Sequence, residues 1–299
     1  MPAPELRLAE APEAISSGCF ETLRAYEGRL FRLDDHMGRL AASAQSVGIR
    51  LPATQRHLGR QLTRALRRSG LREAIVRVAL IPLPAGAPEA HAARRQSLAA
   101  TPTGGGIIPR SRAVVHASIV VQQVVLPPAS AYREGIAVSV VPTRKFPVGV
   151  INPEVKYSAR LGSVLALMDA HLRGVDEALF LDPTGSVTES TASNFGIIRG
   201  GAFLTPPCWL GLLAGITREV LLELAKHLRL PVGEVPLTRH DVYNADEAFL
   251  LSTIKEVLPV TRIDGRLIGS GRPGPVTRRL HRAFRELVRR ELQLTGARL

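Results

Sequence analysis

Two tight-turn signals in the middle of the chain restrict its topology more than any other feature. The apolar run Glu177 to Leu181 reaches Asp182-Pro183-Thr184-Gly185 and returns as Ser186 to Thr188, and Asn194 to Ile198 reaches Gly200-Gly201 and returns as Phe203-Leu204. Proline and glycine supply the φ values such turns need, so each segment reads as two antiparallel strands joined by a hairpin. A doubly wound sheet instead needs a helix between successive strands, so the chain is a mixed α+β one.

The flanking sequence divides in two. Residues 14 to 80 read as strand, strand, helix, helix, strand: Cys19 to Tyr26 and Arg29 to Arg32 flank Glu27-Gly28. A helix then carries Met37, Leu40, Ala41, Ala44 and Val47 on one face, with Asp34 or Asp35 as its cap, and a second carries Leu58, Leu62 and Leu66. A strand at Ala74 to Leu80 follows. From Pro82 to Arg112 the chain is rich in Pro, Gly and Ala, which reads as an insertion. After a strand at Val114 to Val125, Leu126-Pro127-Pro128 begins a linker. The expected division is a small N-terminal α/β domain over 1–125, a linker over 126–132 and a larger domain over 133–299. In the latter, Leu161, Val164, Leu165, Met168 and Leu172 fall at helical spacing, and helices are expected at Thr217 to Leu228 and from Val276.

Composition removes several classes of function. Cys19 and Cys208 are the two cysteines and form no C-x-x-C pair, so neither a disulfide scaffold nor a thiolate metal cluster is expected, and a reducing compartment fits. The longest apolar runs fall short of the ~18 residues that span a bilayer, and the first residues lack a signal-peptide pattern, so a cytoplasmic protein without membrane attachment is expected. The formal net charge of +13 invites a nucleic-acid partner. However, the arginines from Arg60 to Arg72 and from Arg278 to Arg290 lie at the spacing of solvated helix faces. Aromatic residues make up only 4%, and no zinc-finger, RNP or helix-turn-helix signature is present. A basic nucleic-acid-binding protein without catalysis is the least favoured reading. Of 39 basic residues only Lys145, Lys156, Lys226 and Lys255 are lysines, which limits any amine chemistry to four candidates.

An ordered set of motifs spans most of the chain: G-C-F-E-T-L-R-A-Y-E-G (Gly18 to Gly28), L-D-D-H-M-G-R-L (Leu33 to Leu40), E-V-K (Glu154 to Lys156), D-E-A-L-F-L-D (Asp176 to Asp182) and T-E-S-T-A-S-N-F (Thr188 to Phe195). G-I-T-R (Gly215 to Arg218), A-D-E-A-F-L-L-S-T (Ala245 to Thr253) and G-P-V-T (Gly274 to Thr277) complete it. Together these resemble the class IV, or fold type IV, pyridoxal-phosphate enzymes: branched-chain aminotransferases, D-amino-acid aminotransferases and aminodeoxychorismate lyases. The resemblance implies a two-domain fold with a larger pseudo-barrel C-terminal domain, pyridoxal 5'-phosphate as cofactor and a homodimer.

It also implies site residues. Lys156 matches the Schiff-base lysine and is the expected catalytic residue. Glu189 matches the carboxylate that keeps the pyridine nitrogen protonated, although Ser190 follows it where most relatives have glycine. Gly215-Ile216-Thr217 opens a helix whose free N–H groups suit a phosphate, and the resemblance assigns Ile216 and Thr217 to it, with Arg39 and the Thr253 hydroxyl. Leu213 matches a side chain packing on the ring and Phe20 an aromatic wall of the substrate pocket. The Thr253-Ile254 amides and Arg77 are expected to take the substrate carboxylate. The implied activity is transfer of an amino group between an amino acid, branched-chain favoured, and a 2-oxoacid. Leu161 stands where many branched-chain enzymes have tyrosine, and Arg160 before it resembles the lyase and D-amino-acid branches. Pyruvate elimination from aminodeoxychorismate is therefore the alternative. No R-x-H carboxylate trap follows the Ala74 to Leu80 strand, which counts against D-amino acids.

Overall fold

The computed structural model describes residues 18–83, 114–145 and 152–293, so most of the segment 82–112 lies outside the described residues. The first region contains β1 (Cys19–Tyr26), β2 (Arg29–Leu30), α1 (Leu33–Ser46), α2 (Gln55–Ser69), β3 (Ala74–Leu83) and β4 (Val114–Gln123). These strands form an antiparallel sheet in the order β2-β1-β3-β4. Pro82 belongs to β3, opposite Val115, so the strand runs further than its apolar pattern indicated. One face of the sheet packs on α1 and α2 through Leu23, Val76, Val78, Met37, Leu40, Leu58 and Leu62. Neither Asp34 nor Asp35 caps α1. Arg32 stands at the N-cap with φ 51° and makes no side-chain cap bond, and both aspartates fall in the first turn, where they suit the helix dipole. Val47 lies past the end of α1 and is exposed.

Next come α3 (Ala129–Glu134), β5 (Ile136–Arg144), α4 (Leu161–Leu172), β6 (Glu177–Leu181), β7 (Val187–Ser190), β8 (Asn194–Arg199) and β9 (Ala202–Thr205). After them come α5 (Ile216–His227), β10 (Val232–Glu234), α6 (Arg239–Tyr243), β11 (Glu247–Ser252), β12 (Glu256–Ile263), β13 (Arg266–Leu267) and α7 (Pro275–Leu292). The segment expected as a linker thus holds the start of a short helix, α3. The strands form one mixed sheet, β10-β9-β8-β11-β12-β5-β6-β7, and an added β7–β8 pairing closes part of it into a barrel. The hairpins β6–β7 and β8–β9 are those signalled by the two turns, while the β12–β5 and β5–β6 pairs are parallel.

Alternation along the strands divides the apolar residues between two cores. On β11, Ala248 and Leu250 face a core with Val138, Leu179, Phe195 and Val260, whereas Phe249 and Leu251 face α5 and α7 through Val220, Leu221, Leu280 and Phe284. Glu247 fastens α7: its carboxylate accepts from the N–H groups of Val276 (3.0 Å) and Thr277 (2.7 Å). A Cβ on Gly274 would stand 1.9 Å from that carboxyl carbon, so the A-D-E-A-F and G-P-V-T motifs describe one helix cap. No described helix is long and apolar enough to cross a membrane.

Candidate active site

The site begins with the alternation of β1. Phe20, Thr22, Arg24 and Tyr26 share one face, while Glu21 points the other way, toward α1. Phe20 and Thr22 line a cavity between the two sheets, together with Arg39, Lys145, Lys156, Arg160, Glu189, Leu213, Ile216, Thr217, Thr253 and Ile254. Nine of the residues singled out from the sequence therefore meet in one place, although they come from separate segments. Arg77 does not line it. It lies opposite Thr22 in the register, exposed, with its guanidinium 4.1 Å from the Phe20 ring centroid.

Lys156 stands where the two halves touch. Its carbonyl accepts from Phe20 N (2.9 Å) and its N–H donates to Ser43 Oγ (3.2 Å). The Nζ lies 5.1 Å from the Phe20 ring centroid and makes no hydrogen bond to any described residue. Burial, reinforced by Arg39 and Arg160 against the opposing pull of Glu21 and Glu189, brings this amine down from 10.5 to about 8. About a tenth of it is thus an unprotonated nucleophile at pH 7, far more than for an ordinary lysine.

Glu189 is buried, 8% exposed. Its Oε1 accepts from Lys145 Nζ (2.6 Å), and its Oε2 accepts from Asn194 Nδ2 (3.1 Å) and Leu213 N (3.2 Å). Asn194 also donates to Leu213 O (2.8 Å), which ties the Leu213 wall to the carboxylate. A Cβ on Gly215 would stand 1.9 Å from Asn194 Oδ1, so glycine is required there.

Gly215 is also the N-cap of α5, and no side chain caps that helix. Arg39 reaches the same point: its Nη1 donates to Ala214 O (2.7 Å), while Nε and Nη2 donate to Glu21 (2.7 and 3.0 Å). A helix N-terminus and a guanidinium therefore converge on an anion site. Glu21 is fully buried, and hydrogen bonds and charges from His36 and Arg39 overcome the opposing effect of burial to hold it at about 2. Burial keeps the His36 imidazole below its ordinary value; its Nδ1 lies 2.8 Å from the Glu21 carboxylate, which can only accept, so Nδ1–H is the donor.

Sequence reasoning missed Glu21, Asn194, Lys145 and Lys255. Lys145 pairs with Glu189, and Lys255 Nζ donates to Glu177 (2.6 Å), whose other oxygen accepts from Thr191 Oγ1 (2.5 Å). The clue to Glu21 was the strand alternation, which turns it from the cavity toward the helix carrying Arg39. The Lys145 and Lys255 pairs leave no such local pattern.

A free amine, a carboxylate opposite it and an anion site beside them define an enzyme pocket for a phosphorylated carbonyl cofactor. The residues fit pyridoxal phosphate on two further observations: α5 starts without a side-chain cap, and the buried Ser190 and Ser193 hydroxyls on the cavity wall lack partners among the described residues. The family model for class IV amino-transferases matches residues 18–263, and the chain belongs to that family. A branched-chain-amino-acid aminotransferase of Pseudomonas aeruginosa is 33% identical over 91% of this chain and 84% of its own length. A D-alanine aminotransferase of Bacillus licheniformis is 30% identical over 93% and 90%. The branched-chain amino acid aminotransferase of Thermobaculum terrenum, in its PLP holo-form, superposes with a TM-score of 0.82 at 26% identity, covering 95% of this chain and 89% of that one.

Proposed function

We propose that the protein is a pyridoxal-phosphate-dependent aminotransferase acting on branched-chain amino acids with a 2-oxoacid as partner. The observation that carries this is the unpartnered Lys156 amine, set in one cavity with Glu189 and with the anion site of Arg39 and the α5 N-terminus. When bound, the cofactor supplies an aldehyde carbon to the amine and a ring that withdraws electrons from the substrate Cα. Lys156 Nζ is the base that takes the Cα proton and returns it, and its value of about 8 suits both directions near neutral pH. Glu189 holds the ring nitrogen's proton, with Asn194 and Leu213 N fixing the carboxylate. Arg39, Ile216 N and Thr217 N anchor the phosphate, with the Thr253 hydroxyl, and Leu213 packs on the ring. Phe20 walls the substrate pocket. The Thr253 and Ile254 N–H groups, which donate to no described acceptor, take the substrate carboxylate, and Arg77 above Phe20 attracts acidic partners to the mouth.

Branched-chain substrates are favoured because relatives of that name reach higher identity over most of both chains, 37% and 33%, than the D-alanine aminotransferase at 30%. The lyase alternative gains no comparable support. Residues 1–125 and 133–299 serve as the two domains, each supplying part of the cavity wall. On α4, Leu161, Val164, Leu165, Met168 and Leu172 are each at least half exposed, while Ala166 and Ala170 on the other side are buried. Such a face fits a second copy of the chain, and Gly162 and Ser163 of the same helix line the cavity, so a homodimer would place its interface beside the site. Two unpaired cysteines, one of them a buried thiol pushed up to about 11, fit the cytoplasm. The test is the visible spectrum of the purified protein with borohydride trapping. Wild type should show cofactor absorbance, a trapped adduct on Lys156, and glutamate from leucine and 2-oxoglutarate. Lys156→Ala should lose the adduct and on the order of 10³-fold or more in rate. Pyruvate release from aminodeoxychorismate, without glutamate formation, would overturn the assignment in favour of the lyase.

A further inference from the structure

Outside the cavity lies a buried ionic cluster centred on Glu256, which no role assigned above uses. Glu256 is 1% exposed. Its Oε1 accepts from Arg24 Nη1 (2.6 Å) and Tyr26 OH (3.1 Å), and its Oε2 from His281 Nε2 (2.7 Å) and Arg285 Nε (2.9 Å). One carboxylate thus joins β1 and α7. It also closes a short turn: Ser252 pairs with Glu256 in the β11–β12 hairpin, and Thr253 and Ile254 lie between them on the cavity wall.

On the cluster side, two carbonyls of that turn are occupied. Arg24 Nη1 donates to Ile254 O (3.3 Å), and Tyr132 OH donates to Lys255 O (3.0 Å) while its ring stacks on His281 at 5.3 Å between centroids. Lys255 N donates to Ser252 Oγ (3.1 Å), and its ammonium is paired with Glu177. With these groups drawn away from the cavity, the N–H groups of Thr253 and Ile254 are the turn's unsatisfied donors. Glu256 itself has φ 55°, a conformation that L side chains adopt only when the surroundings fix it. Four donors on its carboxylate supply that constraint.

We infer that Glu256, with Arg24 and Tyr132, is a positioning assembly that presents the Thr253 and Ile254 amides to the carboxylate of the substrate, and so governs substrate affinity rather than the proton-transfer step. This rests on the functional reading given above. The assembly acts from behind the turn and touches neither cofactor nor substrate. It makes the C-terminal helix, remote from the cavity, part of the substrate site.

The test uses the holoenzyme and 4-methylvaleric acid, an unreactive monocarboxylate titrated by the absorbance of the bound cofactor, beside initial rates with leucine. Glu256→Gln keeps the shape and removes the charge, and is expected to raise both the dissociation constant of the acid and the KM for leucine about tenfold. The kcat should stay within about twofold and the cofactor should remain bound. Tyr132→Phe removes one hydroxyl and should move the same quantities about threefold. Unchanged acid affinity in these folded variants, or a fall in kcat alone, overturns the inference. Should Glu256→Gln fail to fold, Tyr132→Phe decides by the same criterion. Wild type without cofactor absorbance or transamination refutes the functional reading instead. The variants are then compared by calorimetric titration of the acid, and equal affinities reject the positioning role separately.

Discussion

Neutralising Glu21 should remove a defined part of the protein's sensitivity to acid. The carboxyl falls from 4.5 to about 2 on folding, because His36 and Arg39 together outweigh burial. A depressed folded value means that the contribution to stability is complete above the unfolded value and is lost as pH falls toward the folded one. The difference of about 2.5 units, at 1.36 kcal/mol each, is about 3 kcal/mol, of which about 2 kcal/mol is gone at pH 3. Glu256 is depressed to about 2 as well, against its own burial, by His281, Arg24 and Arg285, so the wild type should lose about 4 kcal/mol from this pair between pH 7 and pH 3. That is a large fraction of the ~5–15 kcal/mol that holds a typical domain folded. Urea unfolding followed by far-ultraviolet circular dichroism at pH 7, 4 and 3 measures it. Glu21→Gln should be less stable at pH 7, yet should lose about 2 kcal/mol less than wild type on going to pH 3. An acid dependence identical in wild type and variant would refute the electrostatic account of the Glu21 cluster.

Two further outcomes follow from packing. Gly215→Ala forces a methyl into the space of Asn194 Oδ1, so overpacking of about 1–3 kcal/mol should fall on the residue that steadies Glu189. The variant should lose cofactor on dialysis, read from its absorbance, and retention equal to wild type would count against the cradle described for Asn194. Leu165→Asp places a charge at the centre of the exposed apolar face of α4. Light scattering should then report a monomer for the variant and the proposed dimer for wild type, and an unchanged mass would place the interface elsewhere.

Sequence patterns revealed those parts of the molecule whose cause is local. The hairpins after Leu181 and Ile198 follow from their turn residues, and Lys156, Arg39 and Glu189 sit in motifs whose order matches the family. Partners distant in sequence left no trace. Lys145 with Glu189, Lys255 with Glu177 and Arg24 with Glu256 are ion pairs made by the fold, and nothing local to Lys145, Lys255 or Arg24 points to its partner. The same limit applies to α1, where two acidic residues at the start resemble a cap, but the left-handed Arg32 sets the chain direction first. On α4 the apolar spacing correctly marks a helix, although the stripe faces outward, and periodicity carries no information about which side is covered.

The Glu256 cluster also sets an order of events during synthesis. Arg24 leaves the ribosome 232 positions before the carboxylate that neutralises it, an interval on the order of 10 to 50 s at ordinary elongation rates. His281 and Arg285 follow later still, and until they emerge the left-handed Glu256 lacks two of its four donors. A nascent chain can therefore form the β1–β3 sheet and much of the barrel while the β11–β12 turn still lacks the bonds that α7 contributes. The turn on the cavity wall thus acquires its full set of supporting bonds only after α7 has been made.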